Sequence, residues 1–467
     1  MRKMAETRKD RTDLTRAEAV AWLDRRVNFE RVAPAGPHGS FGLSRMRRLL
    51  EAIGSPHLRL PVVHVAGTKG KGSTVAMIAA ILDEAGHRVG CYLSPHVHAI
   101  EERISINGRP IGSTALVEAF ATVIPAVDAM DRAGARRGVR GPTWFEVMTA
   151  VAMLHFARSR VALAVLETGL GGRLDATNVS KPVLSVITSI SLDHMAVLGR
   201  TIGRIAGEKA GIIKRSCPVI SGATVPAARR VIAETAARRR ATLLQLGRDF
   251  QACAAADRGN SAAPLGINSV DVILPERFSP PNGRDRGRNR YALGMPGSHQ
   301  AANGSLAVVA AHALDSMGYR ISQQAIAAGL RKAVLPARIE TLSRRPLVVV
   351  DAAHNVASMR ALLETLAQPL ATMRPRVLVF AASGDKQIEK MLALAAGRFD
   401  HVVVTRYATN PRAAPVERLV AACRQAGLPP ARIAASPREA LPMARSIAGT
   451  KGIVCVAGSF FLAAEIR

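Results

Sequence analysis

The sequence predicts an α/β protein of two domains, on three observations. Leu60 to Thr74, LPVVHVAGTKGKGST, joins a Val-rich run of strand length to a glycine-rich loop, and then to a helical pattern in which Val75, Ile78, Ala79 and Leu82 share a face before Gly86 stops it. Strand-like apolar runs alternate with helical stretches on both sides of an irregular region between about Gln251 and Tyr291. The length, 467 residues, exceeds what one core usually serves.

Composition narrows the function classes. Hydrophobic residues at 48% supply ample burial, no run reaches the roughly 18 apolar residues of a membrane span, and MRKMAETRKDRTD lacks the apolar core of a secretory signal. A cytoplasmic protein without a membrane partner is expected. The five cysteines, at 91, 217, 253, 423 and 455, have no CxxC or CxH spacing and read as small buried hydrophobes. The net charge of +29 invites a nucleic-acid partner, but the arginines are scattered, aromatics are only 4% and no zinc-finger, RRM or KH pattern occurs. A basic surface serving anionic small substrates is the better expectation.

In chain order, residues 1–16 read as a frayed charged tail. RAEAVAWLDRRVNFE predicts an amphipathic helix with Ala19, Trp22, Leu23 and Val27 on one face, and FGLSRMRRLLEAIG a second, capped by Ser44. The glycine loop follows. Its backbone N–H groups, the helix N-terminus and Lys71 suit a polyphosphate, and Ser73 offers a hydroxyl to Mg²⁺. The strict Walker spacing is not met, because Val65 stands five places before Gly70 and Gly72 separates Lys71 from Ser73. A tight strand-to-helix turn would also use glycines, though it would not need the lysine.

Beyond it, RVGCYLSPH gives a strand ending at Ser94, and EERISINGRPI a hairpin turning at Asn107 and Gly108. Residues 113–133 are helical, and TWFEVMTAVAMLHFARS begins an apolar helix near Thr143. Val161 to Leu166 forms a buried strand with Glu167 at its carboxyl end, where ligands collect in open α/β sheets, and a carboxylate facing a phosphate loop is a natural Mg²⁺ ligand. The strand PVLSVITSI leads to Asp193 and His194, and the helix IGRIAGEKAGIIK carries Lys209 in an apolar setting. MPGSHQAANGSLAVVAAHAL is helical, and AVLPARIETLSRRP separates it from the last third, placing the boundary near Leu335 to Pro346. Strands at 347–351, 376–382, 401–405 and 452–459 then predict a parallel, doubly wound sheet, with Asp351, His354 and Asn355 at its ligand edge.

The motifs AGTKGKGS, CYLSPH, TWFE, LETGLGGRLDATN, LDH, GEKAGI, GSHQAAN, PARIE and DAAHN stand in this order from about Ala17 to the C-terminus. As an ordered set they resemble folylpolyglutamate synthases and bifunctional dihydrofolate synthases, relatives of the Mur ligases. The resemblance implies an N-terminal P-loop-type ATPase domain of the Mur-ligase kind (17–335) and a C-terminal Rossmann-like ligase domain (336–467). It implies that Gly67, Thr68, Lys69, Gly70, Lys71, Gly72 and Ser73 hold ATP phosphates, and that Asn303, Arg338, Asp351 and His354 contact ATP from the hinge and second domain. It further implies that Ser94, Glu167 and His194, with Ser73, hold Mg²⁺, that Lys209 is carbamylated, and that Lys71, Lys209 and His194 are catalytic. The pterin segments match Thr143, Trp144, Phe145 and Glu146, and Leu174, Asp175 and Ala176. The implied reaction joins L-glutamate to folate or dihydropteroate through an acyl phosphate at the expense of ATP, in a monomer. A Mur-type ligase acting on a cell-wall nucleotide precursor and a non-catalytic nucleotide-binding module holding RNA are the alternatives. Lys69 stands where the family usually has Asn, and Ala337 replaces the Gly of PGR, so the hinge is expected to avoid positive φ. Ala352 and Val356 replace Gly and Pro of DGAHNP.

Overall fold

The computed structural model describes residues 14–31, 41–136, 138–255, 265, 269–278 and 288–467. The expected N-terminal tail lies almost wholly outside them. Among the described residues an eight-stranded sheet runs β4-β3-β2-β5-β1-β6-β7-β8. Its strands are β1 (Val62–Ala66), β2 (Val89–Tyr92), β3 (Ile104–Ile106), β4 (Arg109–Pro110), β5 (Leu163–Glu167), β6 (Pro182–Ile187), β7 (Val219–Ser221) and β8 (Leu243–Gln245). All neighbours are parallel except the β2–β3–β4 edge, so the sheet is mixed. That edge contains the expected Asn-Gly turn, with φ of 49° at Asn107 and 71° at Gly108.

The central strands are buried on both faces because helices cover both. The helix after the glycine loop, Lys71–Glu84, buries Val75, Met77, Ile78, Ile81 and Leu82 against one face. On the other, Trp144–Arg158 is buried nearly all round and packs against Ser113–Ala135. Ser113–Ala135 is the one described helix long and apolar enough to cross a membrane, but Phe120, Val123 and Val127 turn inward to the core.

The stretch from Gln251 to Tyr291, which its composition left as an irregular loop or a weak β segment, contains β structure among its described residues. Three antiparallel strands, β9 (Gln251–Ala255), β10 (Ser269–Ile273) and β11 (Arg288–Ala292), form a separate sheet on the helix Ser298–Leu314, with Asp271 clamped between Arg288 and Arg290. Val270, Val272 and Tyr291 face inward. Long Pro/Gly/Arg insertions hide this alternation in the sequence.

The last third forms a six-stranded sheet, β12-β13-β17-β14-β15-β16, from β12 (Glu340–Arg344), β13 (Leu347–Val350), β14 (Arg376–Phe380), β15 (His401–Val404), β16 (Ala431–Ile433) and β17 (Ile453–Ala457). It is parallel apart from β12, an antiparallel edge strand formed by the stretch read as a linker. Its inner layers bury Val349, Leu378, Phe380 and Cys455 on one face and Val348, Val377 and Val454 on the other.

Two local expectations are corrected. Ser44 does not cap the second helix, because Leu43–Ala52 starts one residue earlier, after Gly42. Ala337 does adopt positive φ, 54°, and so does Ile339 at 49°. The turn is held from both sides: Ala337 N–H donates to Glu340 and Ile339 N–H to Asp351 Oδ2, each at 2.8 Å. Left-handed backbone disfavours a Cβ, so Ala337→Gly is expected to stabilise the protein by about 0.5–1 kcal/mol. The readout is a rise in the urea midpoint at unchanged slope.

The lobes also meet away from the hinge. Arg412 of the second donates at 2.5 Å to the main-chain carbonyl of Glu30. The Glu30 carboxylate grips the fully buried Arg103 with bonds of 2.9 and 2.6 Å, and Arg103 lies over the Trp144 ring.

Candidate active site

The glycine loop connects β1 to its helix at the carboxyl end of the first sheet, and its shape is fixed by its neighbours. A Cβ on Gly67 would lie 1.7 Å from Thr188 Oγ1, and one on Gly70, at φ of 83°, 2.1 Å from Asn303 Oδ1. A side chain at either position would force its neighbour aside and sit on backbone that disfavours a Cβ. The loop carbonyls are turned outward: Thr188 Oγ1 donates to Lys69 O at 2.6 Å and Lys209 Nζ to Gly67 O at 2.7 Å. Thr68 N–H donates to Ser189 O. The first helical bond is Thr74 N–H to Gly70 O, so the N–H groups of Lys71, Gly72 and Ser73 precede the ladder and remain for an anion.

Charged groups surround that cradle. Lys71 Nζ lies 3.7 Å from Glu167 Oε1, and Ser94 N–H donates to Glu167 Oε2 at 3.1 Å. Burial raises the pKa of Glu167, while Lys71, Ser94 N–H and Arg338 oppose the rise. Lys69 Nζ pairs with Asp193 at 3.2 Å. Burial works to raise Asp193, yet Lys69 and then His194 outweigh it and hold it near about 2. Lys209 is 4% exposed, and burial, reinforced by the charge of Lys71, lowers its pKa to about 7.

The second lobe adds Asp351 and His354 just past β13. Burial raises Asp351 against the pull of Arg338, and burial followed by Lys69 pushes His354 down to about 3, so its imidazole is neutral. Arg338, carried outward between the two left-handed residues, is felt by Glu167 in one lobe and Asp351 in the other. Gln300 Nε2 donates to Ser73 Oγ at 3.2 Å, and Asn303 donates to Gln300.

The expected phosphate and metal residues therefore gather at one place. His194 is the outlier in exposure, at 56%, itself in left-handed backbone (φ 48°) just before the one-turn helix Met195–Leu198 and beside Asp193. Among the described residues no three His, Cys, Asp or Glu side chains form a ready-made metal cage. The donor set of Glu167, Ser73, Ser94 and His194 suits a Mg²⁺ that keeps waters and shares phosphate oxygens.

The expected pterin residues are largely engaged in structure. Thr143 and Glu146 make a reciprocal capping box, Glu146 also pairs with Arg45, Trp144 Nε1 donates to Asp24, and Asp175 accepts from Thr177 and Leu170 N–H. Phe145 and Leu174 keep partial exposure, and Ala176 is buried. Sequence reasoning missed Lys386, whose charge reaches both His194 and His354, and Gln300, which steadies Ser73. Lys386 follows the end of β14 in SGDK, a strand-tip position like those that drew attention to Asp351.

Known proteins share this architecture. The family model described as Mur ligase, glutamate ligase domain, matches residues 337–460. The dihydrofolate synthase/folylpolyglutamate synthase of Bacillus subtilis is 36% identical over 452 residues, covering 96% of this chain and 98% of that one. Crystal structures of Mycobacterium tuberculosis folylpolyglutamate synthase complexed with ADP and AMPPCP align with a TM-score of 0.82 at 32% identity, covering 97% of each chain. Escherichia coli FolC in complex with DHPP and ADP aligns at 0.77 and 28%, covering 97% of this chain and 98% of that one. With 36% identity over nearly the full length of both chains and one overall fold shared across 97% of the residues, the chain belongs to the folylpolyglutamate synthase/dihydrofolate synthase family of the Mur ligase superfamily.

Proposed function

We propose that the protein is an ATP- and Mg²⁺-dependent ligase that joins L-glutamate to a folate or dihydropteroate carboxyl group. The observation that carries this is the meeting of Lys71, Glu167 and Ser94 at the phosphate loop with Arg338, Asp351 and His354 from the hinge and second lobe.

Carboxylate and amine do not condense at neutral pH, because hydroxide is a poor leaving group. The γ-phosphate is transferred to the substrate carboxyl, and the glutamate amine attacks the acyl phosphate to release phosphate. Lys71 and the N–H groups of residues 71–73 hold the β- and γ-phosphates and neutralise charge in the transfer. Glu167, Ser73, Ser94 and His194 would hold Mg²⁺, which supplies charge neutralisation at the phosphate oxygens. Asn303, Arg338, Asp351 and His354 seat the rest of ATP, and Lys386 offers a cation to the incoming glutamate. Lys209, carbamylated, presents a carboxylate to the metal–phosphate site. The lobes are residues 17–335 and 336–467, and their closure excludes the water that would hydrolyse the acyl phosphate. The pterin lies against the partly exposed edge formed by Phe145 and Leu174, within the segments 143–146 and 174–176.

Turnover measured side by side with dihydropteroate and a reduced folate monoglutamate is expected to show glutamate-stimulated ADP release with at least one. No stimulation with either, or stimulation only with a UDP-linked muramyl substrate, overturns the proposal. ATP binding without turnover, joined to salt-sensitive RNA affinity, does so too.

A further inference from the structure

The strand that leads into the phosphate loop also carries a histidine with no part in the phosphate site. In β1, Val63 and Val65 pack with the loop helix, so by the alternation of a strand His64 points to the opposite face, where it is wholly buried. There its Nε2 lies 2.8 Å from Thr177 Oγ1, and Thr177 Oγ1 donates to Asp175 Oδ1 at 2.5 Å. A hydroxyl has one proton to give. With that proton on the carboxylate, Thr177 accepts from the histidine, which fixes the imidazole as the Nε2–H tautomer. Burial, followed by the charge of Lys214, lowers the His64 pKa to about 3, so the ring is neutral. Its Nδ1 is left as a buried acceptor with no partner among the described residues. Leucine would fill the same space without stranding a polar atom, so packing alone does not account for a histidine here.

Asp175 is what the relay serves. Its carboxylate takes Leu170 N–H at 2.9 Å, Thr177 N–H at 3.0 Å and the Thr177 hydroxyl, closing residues 170–177 into one loop. Burial raises the pKa of Asp175, and the Thr177 hydroxyl opposes the rise ahead of the N–H groups of Leu170, Thr177 and Gly169. The rest of the loop is anchored elsewhere: Arg173 N–H donates to Glu208 O at 2.7 Å, and Asn178 Nδ2 to Arg173 O and Gly211 O. Gly169 lies against Phe145, since a Cβ there would stand 2.6 Å from the ring. Leu174 sits between the anchors of Arg173 and Asp175. The spacing of Phe145 and Leu174, the edge proposed for the pterin, is therefore set at the Asp175 end by Thr177 and His64.

We propose that His64 is a positioning residue for the pterin: it commits the Thr177 hydroxyl to Asp175, and so holds residues 169–175 at the distance from Phe145 that admits the substrate ring. The inference rests on the ligase reading and the pterin placement above, and adds to them the group that sets the width of that edge. His64 itself touches no substrate. Because it stands on β1, the strand that ends in the phosphate loop, it registers the pterin loop and the nucleotide loop on one rigid element.

The test compares the full-length protein with His64→Leu, His64→Gln and Thr177→Val on dihydropteroate and on a reduced folate monoglutamate. Leucine keeps the volume and loses the donor, whereas glutamine can place an amide N–H where Nε2–H stands. His64→Leu and Thr177→Val are each expected to raise the KM of the accepted pterin substrate at least about tenfold, with kcat and the ATP KM within about twofold of wild type. His64→Gln should stay within about threefold in every constant. The double variant His64→Leu/Thr177→Val should be no worse than Thr177→Val alone, because both changes cut the same relay. If His64→Leu does not fold, His64→Asn, whose amide reaches only the Nδ1 position, takes its place in the comparison. Glutamine failing as badly as leucine, additive losses in the double variant, or equal rises in the pterin and ATP KM overturn the positioning role. An unchanged pterin KM in Asp175→Ala overturns the pterin placement and this inference with it. Absence of wild-type turnover with every pterin substrate instead overturns the ligase reading.

Discussion

Lys71→Ala is expected to lower glutamate-dependent ADP release by about 10³-fold or more, while far-UV circular dichroism and the melting temperature change little. Removing one preorganised contact to developing charge typically costs 10²–10³-fold, and this lysine has a second task. It is the main charge opposing the burial that raises Glu167, at 3.7 Å. Without it Glu167 takes up a proton more readily and becomes a poor metal ligand, so the two losses compound. Lys71→Arg, which keeps the charge, should retain measurably more activity than alanine. Near-normal turnover of the alanine variant would remove this residue from the site.

Lys209→Ala is expected to lose about 10²-fold or more in kcat, and short carboxylic acids such as acetate should restore part of it by supplying the missing carboxylate. The chemistry follows from burial. A pKa near about 7 leaves much of the amine neutral at physiological pH, and its lone pair can attack the carbon of CO₂, with the proton going to solvent to leave a carbamate. Activity in CO₂-depleted buffer should be restored by bicarbonate at pH 8. Failure of acetate rescue, with an intact wild-type mass lacking one added CO₂, would refute the carbamate. The same depressed pKa sets a stability trend. For the uncarbamylated side chain, between about 7 and the ordinary lysine value of 10.5 the unfolded chain binds the extra proton, so the free amine makes the fold more stable as pH rises through that window. Below about 7 it is charged in both states, and its full desolvation penalty remains.

The central parallel strands were legible because burial on both faces demands uninterrupted Val, Ile and Leu, as in Val62–Ala66 and Leu347–Val350. Strand-tip residues such as Glu167 and Asp351 followed from that reading. Three edge strands were not legible: β8 is only three residues long, and β12 and β16 carry mixed, largely exposed side chains. β9–β11 were legible only as a loop or weak β segment, because long insertions separate them. Ala337 was misjudged because residue type alone argues against positive φ, whereas the bonds from Glu340 and Asp351 impose it. In TWFE, a capping box and a buried aromatic explain Thr143, Trp144 and Glu146 before any ligand is invoked.

The bond from Arg412 to the carbonyl of Glu30 bears on how the two halves breathe. A charge-assisted bond contributes about 1.5–3 kcal/mol, which biases the joined arrangement by roughly tenfold to a hundredfold. That is a clasp and not a lock: thermal parting stays frequent enough to let spent nucleotide leave. Because the acceptor is main chain, the donor at residue 412 is the direct handle on the clasp, while position 30 acts on it only through the anchor that its carboxylate makes to Arg103.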